Sequence, residues 1–337
     1  MENKLPIVID SKSLYRTLAR VALPIALQSL ISSSLNLLDN LMVGNLGEVE
    51  LAAVGLSSQL FFVYIGVMFG FASGSSAFMA QFWGKQDVRS IRKVVGFTIT
   101  ASLGAGMLFF LPAVLAPEKL LSLFTDIPEV IAIGKDFVRI AAVSFLTMSV
   151  TFPLSAALRT TQQTKLPLKI SAVVFSTNTV LNFFLIFGSL GAPELGVRGA
   201  AVATAVARIL ELCLYFYVIF GRKNLIAGRI GEFFGWHKPL VARILVTAVP
   251  VIINETMWSL GMATYNAAYG RVGVTEFAAV QASNTLNTLF ILAVFSLGDA
   301  LLILVGQRIG MGQMDYAYTL AKRLLRIGIC VGAVSGG

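Results

Sequence analysis

Four long stretches of this chain, residues 51–84, 94–117, 140–158 and 170–193, contain no charged side chain. Each is near or above the roughly 20 apolar residues with which an α-helix crosses the hydrocarbon of a bilayer. In that medium every backbone N–H and C=O must be satisfied internally, and continuous apolar runs of this length do so as helices. The composition agrees. Of the 337 residues, 56% are hydrophobic and 13% charged, and the mean hydropathy is +0.81. A soluble domain carries roughly 25% charged residues, so this chain lacks the polar surface to cover a water-soluble globule. It reads as an all-α polytopic membrane protein. Most soluble enzyme classes are excluded, and the net charge of +9 is not the footprint of a nucleic-acid partner.

That charge is informative through its position. Apolar spans are predicted at 14–43, 51–81, 94–115, 130–153, 166–188, 196–220, 241–270, 276–307 and 320–337. One set of connections then holds Lys4, Lys12, Arg16, Arg20, Lys85, Arg89, Arg92, Lys93, Arg159, Lys165, Lys169, Arg222, Lys223, Arg229, Lys238, Arg243, Arg308, Lys322, Arg323 and Arg326. The alternate set holds Lys119, Arg198 and Arg271. Short loops rich in Lys and Arg stay cytoplasmic. The expectation is a multi-pass protein of the plasma membrane (the inner membrane in a bacterium) with a cytoplasmic N-terminus. Residues 1–10 lack the basic-then-apolar layout of a cleavable signal, so the first span is expected to be retained as the insertion signal. Cys213 and Cys330 both fall within apolar spans, without metal-ligand spacing, and read as small packing residues.

The chain repeats itself at an offset of 226 residues. Ala22, Pro24, Asn40, Gly44, Gly47 and Glu50 align with Ala248, Pro250, Asn266, Gly270, Gly273 and Glu276. Without a gap, Ala52-Ala53-Val54, Ser57, Gln81 and Gly84 align with Ala278-Ala279-Val280, Ser283, Gln307 and Gly310. Six spans precede the second copy, so both copies start on the same side. They are parallel repeats related by an axis along the membrane normal, as in two-lobed secondary transporters. The expected architecture is a 6+6 bundle whose second lobe is truncated after about nine helices, since a C-terminus inside the bilayer would leave carbonyls unpaired. Its predicted parts are an N-terminal six-helix lobe at 1–220, a cytoplasmic loop at 221–239, and an incomplete C-terminal lobe at 240–337 of about two and a half helices.

Pro24 and Pro250 occupy equivalent places, where each removes a backbone donor and can kink its helix. The bend could be ordinary packing or a hinge around a central cavity. Gly66, Gly70 and Gly74, four apart, make one smooth helix face and read as a packing stripe.

An ionisable side chain inside a span is costly and marks a functional candidate. Asp39 lies in the outer half of the first span, Glu255 near the middle of the seventh, and Asp299 in the inner part of the eighth. Such carboxylates could take up a proton or a small cation as a coupling-ion site, with sodium a candidate at Asp39 or Glu255. The alternative for each is a carboxyl buried for helix–helix hydrogen bonding. Asn178 and Asn182 share a face of the fifth span, and Thr204 lies on the sixth. Gln28 and Asn36 could line the same cavity as Asp39, with Asp299 a further cavity or substrate-contact candidate. Arg208 and Glu211, three apart, are expected to pair, and Lys135, Asp136 and Arg139 to form a solvated helix end.

The run Leu23-Pro24-Ile25, then Asp39 through Gly44, Leu46-Gly47 and Leu51 through Gly55, resembles the opening of multidrug and toxic compound extrusion (MATE) transporters. Asn182 through Gly188 resembles the end of that family's fifth span, and Val305 through Gly310 the end of its eighth. The resemblance implies a 12-helix, two-lobed antiporter that expels cationic or amphipathic compounds in exchange for protons or sodium ions. It implies a coupling site at Asp39, Asn178, Asn182 and Thr204, with Asn182 standing where many relatives have a second acid. Glu255 resembles the span-seven glutamate of the branch whose ion site is in the other lobe, without that branch's later aspartate. Asp299 stands where a small or amide residue is expected.

The expected function is therefore ion-coupled export by alternating access. A flippase for a lipid-linked precursor, of the same superfamily, is the alternative, although it would need a cationic cavity. A membrane-embedded enzyme or a channel is a further alternative. His237, the single histidine, lies in a loop, and no HExxH or GxSxG motif is present. No cofactor, resident metal, catalytic residue or nucleic-acid partner is expected. The expected partners are small-molecule substrates and the lipid bilayer, and the expected state is a monomer.

Overall fold

The computed structural model describes residues 11–188, 193–272 and 274–336; the side chains of 11–13, 263, 265–290, 293, 330, 331 and 333–336 lie outside that description. So do the aligned side chains of Asn266, Gly270, Glu276 and Ser283, the position Gly273, and the thiol of Cys330. The described residues form helices joined by short loops and turns, without a strand among them.

The first half holds α1 (Ser11–Gly44), α2 (Glu48–Gly84), α3 (Val88–Leu115), the short α4 (Pro117–Leu121), α5 (Pro128–Ala141), α6 (Val143–Thr160), α7 (Lys165–Phe187) and α8 (Val197–Phe216). One π-helical turn, Tyr217–Gly221, ends α8. The short α9 (Ile230–Phe233) lies in the connection to α10 (Lys238–Val272), α11 (Val274–Gly310) and α12 (Met314–Gly336). Among the described residues six helices are long and apolar enough to cross a membrane, or seven when α5 and α6 count as one bent span. The expected spans 276–307 and 320–337 fall on α11 and α12.

Local chemistry sets the ends. Pro117 and Pro128 open α4 and α5, where a missing N–H costs nothing. The Asp87 carboxylate caps α3 by accepting from the Ser90 N–H at 3.0 Å. Gly188 ends α7 at φ 65°, a left-handed conformation open to glycine. The fourth expected span, 130–153, has a different form from a single straight helix. α5 and α6 meet at 43°, and α6 runs on to Thr160. The α-helical ladder breaks at Ala142, whose carbonyl instead accepts from Phe145 N–H three residues on, at 2.9 Å. Pro24 is accommodated without ending α1. The carbonyl four residues before it, on Arg20, loses its helical donor, and the Thr164 hydroxyl at the head of α7 donates to it at 3.4 Å.

Lipid tails are as apolar as leucine, so helices associate here through close van der Waals contact and polar links. The packing follows the repeat. α2 packs on α10, the equivalent α11 packs on α1, and α2 and α11 pack on each other. The glycine stripe is a packing face, as expected, and the helix seated on it is α10. A Cβ built on Gly70 would fall 2.3 Å from Ile252 Cγ1, and one on Gly74 would fall 2.6 Å from Ala248 Cβ. Where α2 meets α11 the contact is reciprocal. A Cβ on Gly84 would lie 2.1 Å from the Gln307 carbonyl oxygen, and one on Gly310 would lie 2.0 Å from that of Gln81. Gly306 faces its own repeat equivalent, Ala80, with a built Cβ 2.8 Å from the Ala80 Cβ. A pseudo-two-fold axis therefore passes between Ala80 and Gly306, at the end of the bundle that carries Lys85, Arg89 and Arg308.

Two apolar clusters cross between the copies. Leu14, Leu18, Val21 and Ile25 of α1 are buried with Ala300, Ile303 and Leu304 of α11 and Leu320 and Leu324 of α12. Leu240 and Ile244 of α10 are buried with Met79 of α2, Val94 of α3 and Phe233 of α9. Cys213 departs from its expected packing place. It is exposed on the outside of α8, a surface that a lipid-facing thiol can occupy without a partner.

Candidate functional site

α1 and α7 pack side by side, and their facing polar residues join into one chain of hydrogen bonds. The Asn182 amide nitrogen donates to Asp39 Oδ1 and, at 2.9 Å, to Asn178 Oδ1. Asn178 and Asn182, one turn apart, are 1% and 0% exposed, while Asp39 is half-buried. Both donors of one amide are thereby used, so Asn182 holds the carboxylate and its neighbour in a fixed relation. The arrangement leaves the Asn182 carbonyl oxygen, the Asn178 amide nitrogen and the Thr179 hydroxyl buried without partners among the described residues. An unsatisfied buried polar group costs about 1–3 kcal/mol, and such orphans in an apolar bundle are what a bound ion, water or proton carrier would satisfy. The carboxylate, amide oxygens and hydroxyl are hard donors suited to a small cation. The same carboxylate can instead take a proton.

The guanidinium of Arg208 on α8 is engaged by Glu211 at 2.8 Å, the expected pair. Thr204, also on α8, is half-buried, and no hydrogen bond ties it to Asp39, Asn178 or Asn182 among the described residues. Gln28 is buried on α1 with its carbonyl oxygen unpartnered, whereas Asn36 is exposed.

Glu255 belongs to a separate place. It is half-buried on α10 against α2, where a Cβ on Gly66 would lie 3.7 Å from its own Cβ. Asp299 lies in neither place. Its carboxylate pairs with Arg159 of α6 at 3.2 Å. None of the three acids has an acidic counterpart in the other copy, since Asp39, Glu255 and Asp299 align with Tyr265, Ser29 and Ser73. The repeat thus shares a packing frame and not its charged groups. Pro24 is buried within α1, and Pro250 is exposed within α10. At the solvated end expected around Lys135, that residue pairs with Glu118 at 2.9 Å and Asp136 with Arg198 at 2.6 Å. Among the described residues no group of three or more His, Cys, Asp or Glu side chains is gathered as a metal cluster would need.

Three interactions lie beyond the sequence reading. Arg159 as partner of Asp299 is 140 positions away, and no local pattern links them. Gln162 and Gln307 bond to each other across the copies. Thr164 occupies the carbonyl freed by Pro24. Only Gln307 carried a sequence signal, its alignment with Gln81.

The chain is 27% identical to the "Probable multidrug resistance protein YoeA" of Bacillus subtilis over 338 residues, covering 98% of this chain and 72% of that one. It is 28% identical to the "Multidrug resistance protein NorM" of Burkholderia vietnamiensis, covering 94% of this chain and 68% of that one. Against the "Probable multidrug resistance protein NorM" of Thermotoga maritima the identity is 24%, over 91% of this chain and 66% of that one. The chain thus spans between 66% and 72% of the length of these relatives. A MOP superfamily transporter from Pyrococcus furiosus superposes with a TM-score of 0.84 at 19% identity, over 95% of this chain and 70% of that chain. A multidrug resistance MATE family transporter in an outward-facing conformation gives the same TM-score. That likeness establishes the fold, an all-helical two-lobed bundle. The MatE family model matches residues 24–184 and 250–336, which takes in Asp39, Asn178, Asn182, Glu255 and Asp299, and the chain belongs to the MatE family of membrane transport proteins, which are not enzymes.

Proposed function

We propose that this protein exports cationic or amphipathic small molecules across the plasma membrane in exchange for protons or sodium ions, by alternating access of its two lobes. The observation that carries the reading is the chain from Asp39 through Asn182 to Asn178, a carboxylate held by buried amides with orphaned oxygen donors beside it. An ionisable group held inside a span is costly and is by default a candidate to bind a proton or a small cation. The multidrug resistance names of its relatives support the substrate class. The Lys- and Arg-rich connections support a cytoplasmic N-terminus. Ion and substrate compete in this scheme: loading Asp39 weakens the hold on a cationic substrate, which leaves on the outer side.

The test is ethidium accumulation in cells making the protein, wild type against Asp39→Asn, in sodium-containing medium with membrane expression checked. Lower accumulation with wild type alone is the expected result. Export retained by Asp39→Asn would remove Asp39 from the coupling. Accumulation in both at the level of cells lacking the protein would remove ethidium export.

A further inference from the structure

The pair formed by Arg159 and Asp299 lies apart from the Asp39 chain, yet it is one of three polar links that join the two copies at a single place. The Arg159 guanidinium meets the Asp299 carboxylate at 3.2 Å, with both side chains about three-quarters buried, at 24% and 27% exposure. The Gln162 side-chain amide donates to Gln307 Oε1 at 2.7 Å, and Gln307 Nε2 donates to the Thr160 main-chain carbonyl at 2.9 Å. Thr160 is the last residue of α6, where carbonyls lack helical donors. Gln307 therefore caps the end of α6 from another helix, and it is 4% exposed. Asp299 and Gln307 are eight positions apart on α11, just over two turns, so one face of that helix presents an acid and an amide to the same helix end. The acid meets a cation at a C-terminus, where positive charge is favoured.

These links stand beside the axis at Ala80 and Gly306, but they do not follow from the repeat, since the residue aligned with Asp299 is Ser73. Hydrogen-bonded and ion-paired groups with fixed partners add one register to the interface between the copies.

We propose that Arg159, Asp299, Gln162 and Gln307 form a latch that locks the α6 end of the first copy to α11 of the second, keeping the bundle closed on its basic side. The latch rests on the reading that the two lobes rock, and it assigns Asp299 a structural part in that cycle in place of a substrate contact. Opening on the basic side requires all three links to break together, and water from that side takes their place.

The test reads closure without transport, so it stays separate from the export assay. With Cys213 and Cys330 replaced by alanine, a cysteine is placed at Ser155, buried one turn before Arg159 with its hydroxyl unpartnered. A membrane-impermeant maleimide is applied to vesicles from the basic side. Parent, Arg159→Gln, Asp299→Asn and the double variant are compared by labelling rate. Each single change is expected to speed labelling about tenfold, and the double change no further than the faster single, because the pair couples. Unchanged labelling in the singles would overturn the latch, as would multiplied effects in the double. Should a single variant fail to reach the membrane, Gln307→Leu carries the same comparison, with faster labelling expected and an unchanged rate overturning.

Discussion

Gly84 rests against the main-chain carbonyl of Gln307, and its repeat equivalent Gly310 rests in the same way against that of Gln81. Two helices from different copies thus make one contact twice about a local axis. This is the self-complementary arrangement of a two-fold dimer interface, realised within one chain. Any larger side chain at either glycine would have to displace main chain and not a rotamer.

Gly84→Val or Gly310→Val is therefore expected to destabilise the protein by about 1–3 kcal/mol through overpacking. Thermal unfolding in detergent, followed by tryptophan fluorescence, provides the comparison. Gly104→Ala is the contrast, because open space surrounds a Cβ there. That change is expected to be neutral or to add about 0.5–1 kcal/mol of helix stability. A loss at Gly104 as large as at Gly84 would contradict the packing account.

Asp87 supplies a pH-dependent contribution. Burial works against its ionisation, but the Ser90 hydroxyl and N–H, with Lys93 and Arg89 nearby, outweigh it and hold the carboxyl below the ordinary carboxylate range. A folded-state pKa lowered in this way gives stability that is full above the unfolded value and is lost as pH falls through the folded one. Asp87→Ala should cost about 1 kcal/mol at neutral pH. The difference from wild type should shrink towards acid. Unfolding midpoints taken from pH 7 downwards would show it, and a pH-independent difference would rule out the charged cap.

Tyr64 pins the bend of the fourth span. Its hydroxyl donates to the Phe145 carbonyl and lies 2.7 Å from the Ser149 hydroxyl, which itself reaches the Ser102 carbonyl at 2.9 Å. Tyr64→Phe keeps the ring edge-to-face with Phe109 and Phe145 and removes the link. The expected loss is about 1 kcal/mol, since Ser149 retains acceptors. Tyr64→Ala should cost about 3–5 kcal/mol by opening a cavity. Similar losses in the two variants would mean that the hydroxyl, and not the ring, dominates.

Arg92 anchors the connection between α8 and α10. Its guanidinium contacts Glu232 at 2.8 Å and the main-chain carbonyls of Leu225 and Ile226 at 2.9 and 3.2 Å. A lysine keeps the charge but cannot fork to three acceptors. Arg92→Lys should speed proteolytic cleavage between residues 222 and 229 several-fold, as expected when local opening becomes cheaper. An unchanged cleavage rate would mean the segment is held by Ile226 and Phe233 packing instead.

Much of the frame was legible from charge and periodicity, because the bilayer imposes length and apolarity on each span and the repeat fixes the relation between copies. The spacing of Gly66, Gly70 and Gly74 marked a packing face, while Gly84 and Gly310 stood out only as equivalent positions of the repeat, without the contact they make. The bend at Ala142 was not legible, since no proline or glycine marks it and the Tyr64 anchor is 78 to 81 positions distant. At the site, spacing brought Asn178 and Asn182 to one face, and Asp39 joined them. The partners Arg159 and Asp299 remained hidden because an ion pair between helices leaves no trace in local sequence. Asp39, Glu255 and Asp299 look alike as buried acids in the sequence, and only tertiary packing separates amide-held, α2-packed and arginine-paired.

The main-chain contact of α2 and α11 carries a consequence for how movement at that place must proceed. Side chains can follow a departing neighbour by changing rotamer, so an interface built from them yields gradually. Peptide groups in direct contact have no such reach. Dispersion falls steeply with distance, and a gap of about 0.5–1 Å already forfeits a quarter to a half of the attraction. The seam at Ala80, Gly84, Gly306 and Gly310 is therefore a snap-fastener more than a spring: seated or released, with little in between.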